Sequence, residues 1–80
     1  MKIKIIPKEI SSETIMGFDT VYTVFCEIPE INKNAKVTIY HTCSIDKLEK
    51  ILNYINSNKG NVITIEVNNL NDLTLTGIYY

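Results

Sequence analysis

The sequence contains no arginine, and it has only three glycines, two prolines, two cysteines and one histidine. Each scarcity excludes something. Without arginine, and with a net charge of −1, the chain cannot grip a polyanion by bulk charge alone. Three scattered glycines build neither a GxGxxG nor a GxxxxGK[ST] phosphate cradle. So few glycines and prolines also exclude collagen-like and linker compositions. Two cysteines are too few for a disulfide scaffold, and no CxxC spacing is present. No apolar run approaches the ~20 residues that span a bilayer. The first residues carry Lys2, Lys4 and Lys8 but no apolar core of a signal peptide. None of the asparagines sits in an N-x-Ser/Thr sequon. A cytoplasmic protein with free thiols is the expectation.

What is present is a globular composition: 80 residues, 45% hydrophobic and 21% charged, with a mean hydropathy of +0.03. Two cores of ~40 residues each would need disulfides, metals or partners, so one domain over 1–80 is expected. The apolar content excludes intrinsic disorder. All eight basic residues are lysine, isoleucine occurs fourteen times and asparagine nine times. Those residues are encoded by A/T-rich codons, which points to an AT-rich genome: a low-GC bacterium, an archaeon or a virus of either.

Periodicity gives the element order. Lys2 to Pro7 alternates polar and apolar and reads as a strand that Pro7 ends or places at an edge. Residues 8–18 show no clean period, yet Ile10, Ile15, Met16 and Phe18 are too apolar for a solvated loop, so this stretch is expected to lie against the domain. Asp19 to Ile28 is β-branched and aromatic nearly throughout, the strongest strand signal. Pro29 ends it, and a third strand follows from Ala35 to Thr42. Opposed residues share a face, so Tyr22, Val24, Cys26 and Ile28 match Val37, Ile39, His41 and Cys43, with Ile28 opposite Val37 or Ile39. Ser44 is a good N-cap, and Ile45, Leu48, Ile51, Leu52 and Ile55 form one apolar stripe of a helix over about 45–58 that Gly60 closes. Two further strands follow. Ile63, Ile65 and Val67 point inward on one, and Leu73, Leu75 and Tyr79 on the other, with Val67 opposite Leu73 and Ile65 opposite Leu75. The order β-β-β-α-β-β predicts an α+β two-layer sandwich, with the single amphipathic helix packed on a mainly antiparallel sheet of four or five strands. In element order it is similar to the β-grasp architecture of ubiquitin-like and immunoglobulin-binding bacterial domains.

Three groups of residues bear on function. Cys26, His41 and Cys43 are the only soft or imidazole ligands, and these registers place them on one face of a hairpin. A structural zinc site wants four such ligands, and a Cys–His dyad wants an orienting third group. The bland alternative is that the thiols pack as small hydrophobes. No catalytic, metal or cofactor site is expected, and the chain is read as non-enzymatic. The paired carboxylates Glu27/Glu30 and Asp46/Glu49 fall on solvent faces. Lys33, Lys36, Lys2 and Lys4, with Tyr22, Phe25, Tyr40, Tyr79 and Tyr80 on strands, suggest a stacking surface for single-stranded nucleic acid, although lysine is balanced locally by glutamate.

The third group is the second face of the sheet: Val21, Thr23 and Phe25, then Thr38, Tyr40 and Thr42, then Thr74, Thr76, Ile78 and Tyr80. It carries little lysine or glutamate. Either residues 8–18 cover it or another chain does, because uncovered patches of this kind mark interfaces. Val21, Phe25, Tyr40, Ile78 and Tyr80 are the expected partner-binding residues. The leading expectation is a protein–protein interaction module, its partner a host factor or a second copy in a homodimer. A virus- or mobile-element-encoded inhibitor of a defence nuclease such as a CRISPR effector fits that description. Nucleic-acid binding is the alternative, and a thiol or metal protein through Cys26, His41 and Cys43 is the second.

Overall fold

The computed structural model describes residues 1–15, 19–40 and 45–79, and of Ile15, Asp19 and Ile45 only the backbone. Along the chain come β1 (Lys2–Ile15), β2 (Asp19–Ile28), β3 (Lys33–Tyr40), α1 (Ile45–Ser57), β4 (Ile63–Asn69) and β5 (Asp72–Tyr79). The element order and the helix agree with the sequence. The architecture does not: the five strands form a closed barrel in the order β1-β2-β3-β5-β4, not an open sheet under a helix.

Closure depends on β1. Lys2 to Ile5 pairs with β4, and Ile6 to Ile15 pairs with β2, so one strand serves both sides of the molecule. The change of partner falls beside a bulge between Pro7 and Glu9, where Lys8 is the extra residue with no partner on β2. Pro7, which has no N–H to give a ladder, sits fully buried at this point. The bulge also reverses which residues face inward. Ile3, Ile5 and Pro7 are buried before it, whereas Ile10 packs on the core after it. Beyond it Ser11 to Thr14 are all exposed, so no apolar alternation marks this half of the strand. Residues 8–15 are not a flap over the second face but the second half of β1. Met16 and Phe18, and the side chain of Ile15, lie outside the described residues.

The β2–β3 hairpin has the expected facing but a tighter register. Tyr22 opposes Ile39, Val24 opposes Val37, Cys26 opposes Ala35 and Ile28 opposes Lys33. The pairing of Ile28 with Val37 or Ile39 is therefore corrected. Asn32 adopts φ 51°, a left-handed conformation that asparagine tolerates better than most residues, and the turn closes within Pro29 to Asn32. Strand β3 accordingly starts at Lys33 instead of Ala35.

The β4–β5 hairpin departs further. Its turn is the two residues Leu70 and Asn71, between Asn69 and Asp72. Register shifts then place Val67 opposite Leu75, Glu66 opposite Gly77 and Ile65 opposite Ile78. Thr76 is the extra residue of one shift. Leu73 and Leu75 pack against the core as the alternation predicts, but Ile78 joins them and Tyr79 turns outward, 42% exposed. Strict alternation assigns those two residues the other way round.

The barrel encloses Ile3, Ile5, Val24, Cys26, Val37, Ile39, Ile63, Ile65 and Val67, and α1 adds Leu48, Ile51 and Ile55 to the same cluster. Among the described residues no polar or charged side chain is buried with them. The helix end is fixed twice. The Asn58 side-chain amide donates to the Tyr54 carbonyl at 2.8 Å, and the Gly60 N–H donates to the Pro7 carbonyl at 2.9 Å. The result is a closed five-stranded barrel with a long first strand shared by two partners and one helix between β3 and β4. It replaces the β-grasp resemblance, in which a helix lies on one open sheet.

Candidate functional site

The outer surface of β1, β2 and β3 can be read row by row from the register. One row is Glu9, Phe25 and Lys36; the next is Ser11, Thr23 and Thr38, continued by Thr74 on β5; the third is Glu13, Val21 and Tyr40. Inward neighbours Val24 and Cys26 are buried. The outward set therefore carries whatever this surface does. Val21, Thr23, Phe25 and Thr38 are half-buried, and Tyr40 is 49% exposed.

Of the five partner-binding residues expected from sequence, the structure brings Val21, Phe25 and Tyr40 onto this surface. Ile78 is not among them, because the β5 register shift turns it onto the core. Tyr80 lies outside the described residues, as do His41 and Cys43.

A groove of about 540 Å³ opens at one end of the surface, lined by Lys8, Phe25, Cys26, Asn34, Ala35 and Lys36. Each element contributes for a local reason. The bulge projects Lys8, since a residue without a cross-strand partner is released from the ladder. Phe25 and Lys36 are direct cross-strand partners, and the Lys36 Nζ stands 5.5 Å from the centre of the Phe25 ring. That geometry is a cation–π contact, with the ammonium over the ring. The Cys26–Ala35 pair lies beneath, with the Cys26 side chain turned into the barrel.

The charges are unevenly placed. Among the described residues, the two charged side chains that line the groove are both lysines. Glu9 and Glu27 stand at its margin, opposite Phe25 and Asn34 respectively. Glu13 lies two rows away beside Val21. The groove is locally cationic, whereas over the surface as a whole Glu9, Glu13 and Glu27 offset Lys8 and Lys36.

Cys26 offers no reactivity here. It is 2% exposed, and its thiol donates to the Ala35 carbonyl at 3.6 Å. Burial pushes its pKa up to about 11, which disfavours the thiolate that nucleophilic or metal chemistry needs. Among the described residues no group of His, Cys, Asp or Glu side chains is placed to hold a metal ion.

Lys8 and Asn34 are the groove residues that sequence reasoning missed. The signal for Lys8 was the proline that interrupts an alternating strand; for Asn34 it was the early start of β3. A second cation–π pair lies on the other side of the barrel, with the Lys2 Nζ 4.4 Å from the centre of the Tyr79 ring. No helix of the described residues is long and apolar enough to cross a membrane. No known family, curated protein or solved structure matches this chain.

Proposed function

We propose that this chain is a non-enzymatic binding module that takes single-stranded nucleic acid on the outer surface of β1, β2 and β3. One observation carries the reading: a groove on the β2–β3 surface combines an aromatic wall, Phe25, with lysines as the charged lining groups among the described residues. In the five-stranded barrels of the OB type, the face of the second and third strands is where oligonucleotides and oligosaccharides bind. Topology does not establish function, so the weight rests on the groove's chemistry. Bases stack on aromatic rings whatever their sequence, and ammonium groups meet the phosphates. Tyr40, exposed on the same surface, offers a second ring. Because Glu9, Glu13 and Glu27 offset the lysines over the wider surface, attraction is short-ranged and stacking supplies most of the affinity.

The test is fluorescence anisotropy with labelled oligothymidylate of about 12 nucleotides, within the site size of such barrels. Binding is expected at low salt. Phe25→Ala and Tyr40→Ala should each weaken it about 5- to 100-fold, the range of one lost stack. A folded protein that leaves the oligonucleotide free at about 50 mM salt would overturn the reading.

The scarcity of charge around Val21, Thr23, Thr38 and Tyr40, whose rows hold Glu13 as their one charged residue, favours a second reading, a protein partner or a second copy held by apolar and hydrogen-bonding contact. Under that reading Val21→Asp abolishes association measured by sedimentation or partner capture, and oligonucleotide binding is absent.

A further inference from the structure

We infer that the groove beside the β1 bulge is a phosphate-anchoring subsite for one nucleotide, with its phosphate between the Lys8 and Lys36 ammonium groups and its base against Phe25. The inference rests on the nucleic-acid reading and adds to it a location and a charge assignment. Three features of the chain support it. Lys8 is the one residue of β1 that the bulge frees from pairing with β2, and it lines the groove. Lys36 reaches the groove from β3, with its Nζ 5.5 Å from the Phe25 ring centre. The two cations therefore flank one aromatic surface from opposite strands. Asn34 completes the lining, with a side-chain amide that can donate to and accept from a base edge. The groups that oppose an anion here are Glu9, across from Phe25, and Glu27, across from Asn34. Neither lines the groove, so an anion entering it meets cations first.

The experiment is a salt titration of oligothymidylate binding to the full chain and to Lys8→Ala, Lys36→Ala, Phe25→Ala, Glu9→Gln and Lys50→Ala. Each phosphate contact on a single strand contributes about 0.7 to the slope of log affinity against log salt. Lys8→Ala and Lys36→Ala should each flatten the slope by about that amount and weaken binding several-fold. Phe25→Ala should weaken binding with the slope unchanged, Glu9→Gln should tighten it, and Lys50→Ala, on the exposed side of α1, should do nothing. Thymidine 5′-monophosphate should displace the oligonucleotide from the groove at several-fold lower concentration than thymidine, which offers the base without the phosphate. Binding that keeps its full salt slope in Lys8→Ala and Lys36→Ala overturns the subsite and leaves the nucleic-acid reading standing. No binding by the parent chain overturns both.

Discussion

Cys26 and Ala35 lie directly opposite each other across the β2–β3 hairpin, and the Cys26 thiol donates to the Ala35 carbonyl at 3.6 Å. The pair fixes the hairpin register and the chemistry of the thiol together. Had the strands met as the apolar pattern suggests, Cys26 would face the other end of β3 and the histidine beyond it. Facing Ala35 inside the barrel, it has its pKa raised by burial from 9.0 to about 11. Two units correspond to roughly 100-fold less thiolate at pH 8 than in the unfolded chain. In a Cys43→Ser background, native protein should therefore react with a thiol reagent at least about 100-fold more slowly than denatured protein. The sign for stability follows from the same shift. A folded-state pKa above the unfolded one stabilises fully below about pH 9, and the contribution is lost as pH rises through about 11. Urea midpoints should fall across that window. Rapid labelling of native Cys26 at pH 8 would show that the thiol is not enclosed.

The last residues of β5 provide a direct test of its register shifts. Ile78 packs against the core and Tyr79 is 42% exposed. Ile78→Asp should destabilise the fold by about 2 kcal/mol or more, because it places a carboxylate against an apolar cluster. Tyr79→Asp should remove only an exposed ring and its contact with Lys2, about 0.5–1 kcal/mol. Strict alternation from Leu73 predicts the opposite ranking. Urea denaturation of the two variants decides between them.

These two residues also show what the sequence could and could not reveal. Where one strand keeps one facing, as in Ile63, Ile65 and Val67, alternation identifies the core correctly. The helix was legible because its apolar stripe, first-turn Asp46 and terminal Gly60 all agree. The barrel was not, because closure depends on β1 changing partners beside a bulge, and beyond that bulge Ser11 to Thr14 are exposed and carry no apolar period. The same event hid Lys8 among irregular residues. Val21, Phe25 and Tyr40 were found as surface residues because their hairpin is regular in facing. Ile78 was misplaced because a single extra residue, Thr76, reverses every side chain beyond it.

Gly60 has φ +83°, and a Cβ added there meets nothing within 4 Å. Any effect of substitution is therefore conformational, not steric crowding. Gly60→Ala should cost about 1–2 kcal/mol, the penalty of left-handed backbone for a residue with a Cβ. Gly60→Asn should cost less, since asparagine visits this region more readily. Both should keep the hydrogen bond to the Pro7 carbonyl, which ties the helix end to the β1 bulge. Equal losses in the two variants would point to disruption of that bond instead, and amide exchange at residue 60 would report it.

The barrel has one weak seam. Strand β4 is bonded on both sides, to β1 through Lys2–Ile5 and to β5 through Thr64–Asn69. Strand β3 is bonded to β2 over its whole length but, among the described residues, pairs with β5 at Thr38 and Thr74 alone. That pairing is parallel, the geometry slightly less stable per residue. Local opening should begin there, because few backbone bonds need to break to part β3 from β5. Native-state hydrogen exchange should show the β3 amides turned away from β2 exchanging about tenfold or more faster than Ile63 and Ile65, which exchange only on global unfolding. Protection rising to the β4 level throughout β3 would mean that the seam is sealed along its length. In that case the outer surface of β2 and β3 would be a rigid wall, and ligand binding there should leave exchange unchanged. If the seam opens as expected, a ligand bridging Phe25 and Lys36 should hold β3 against β2 without slowing exchange at the β5 edge.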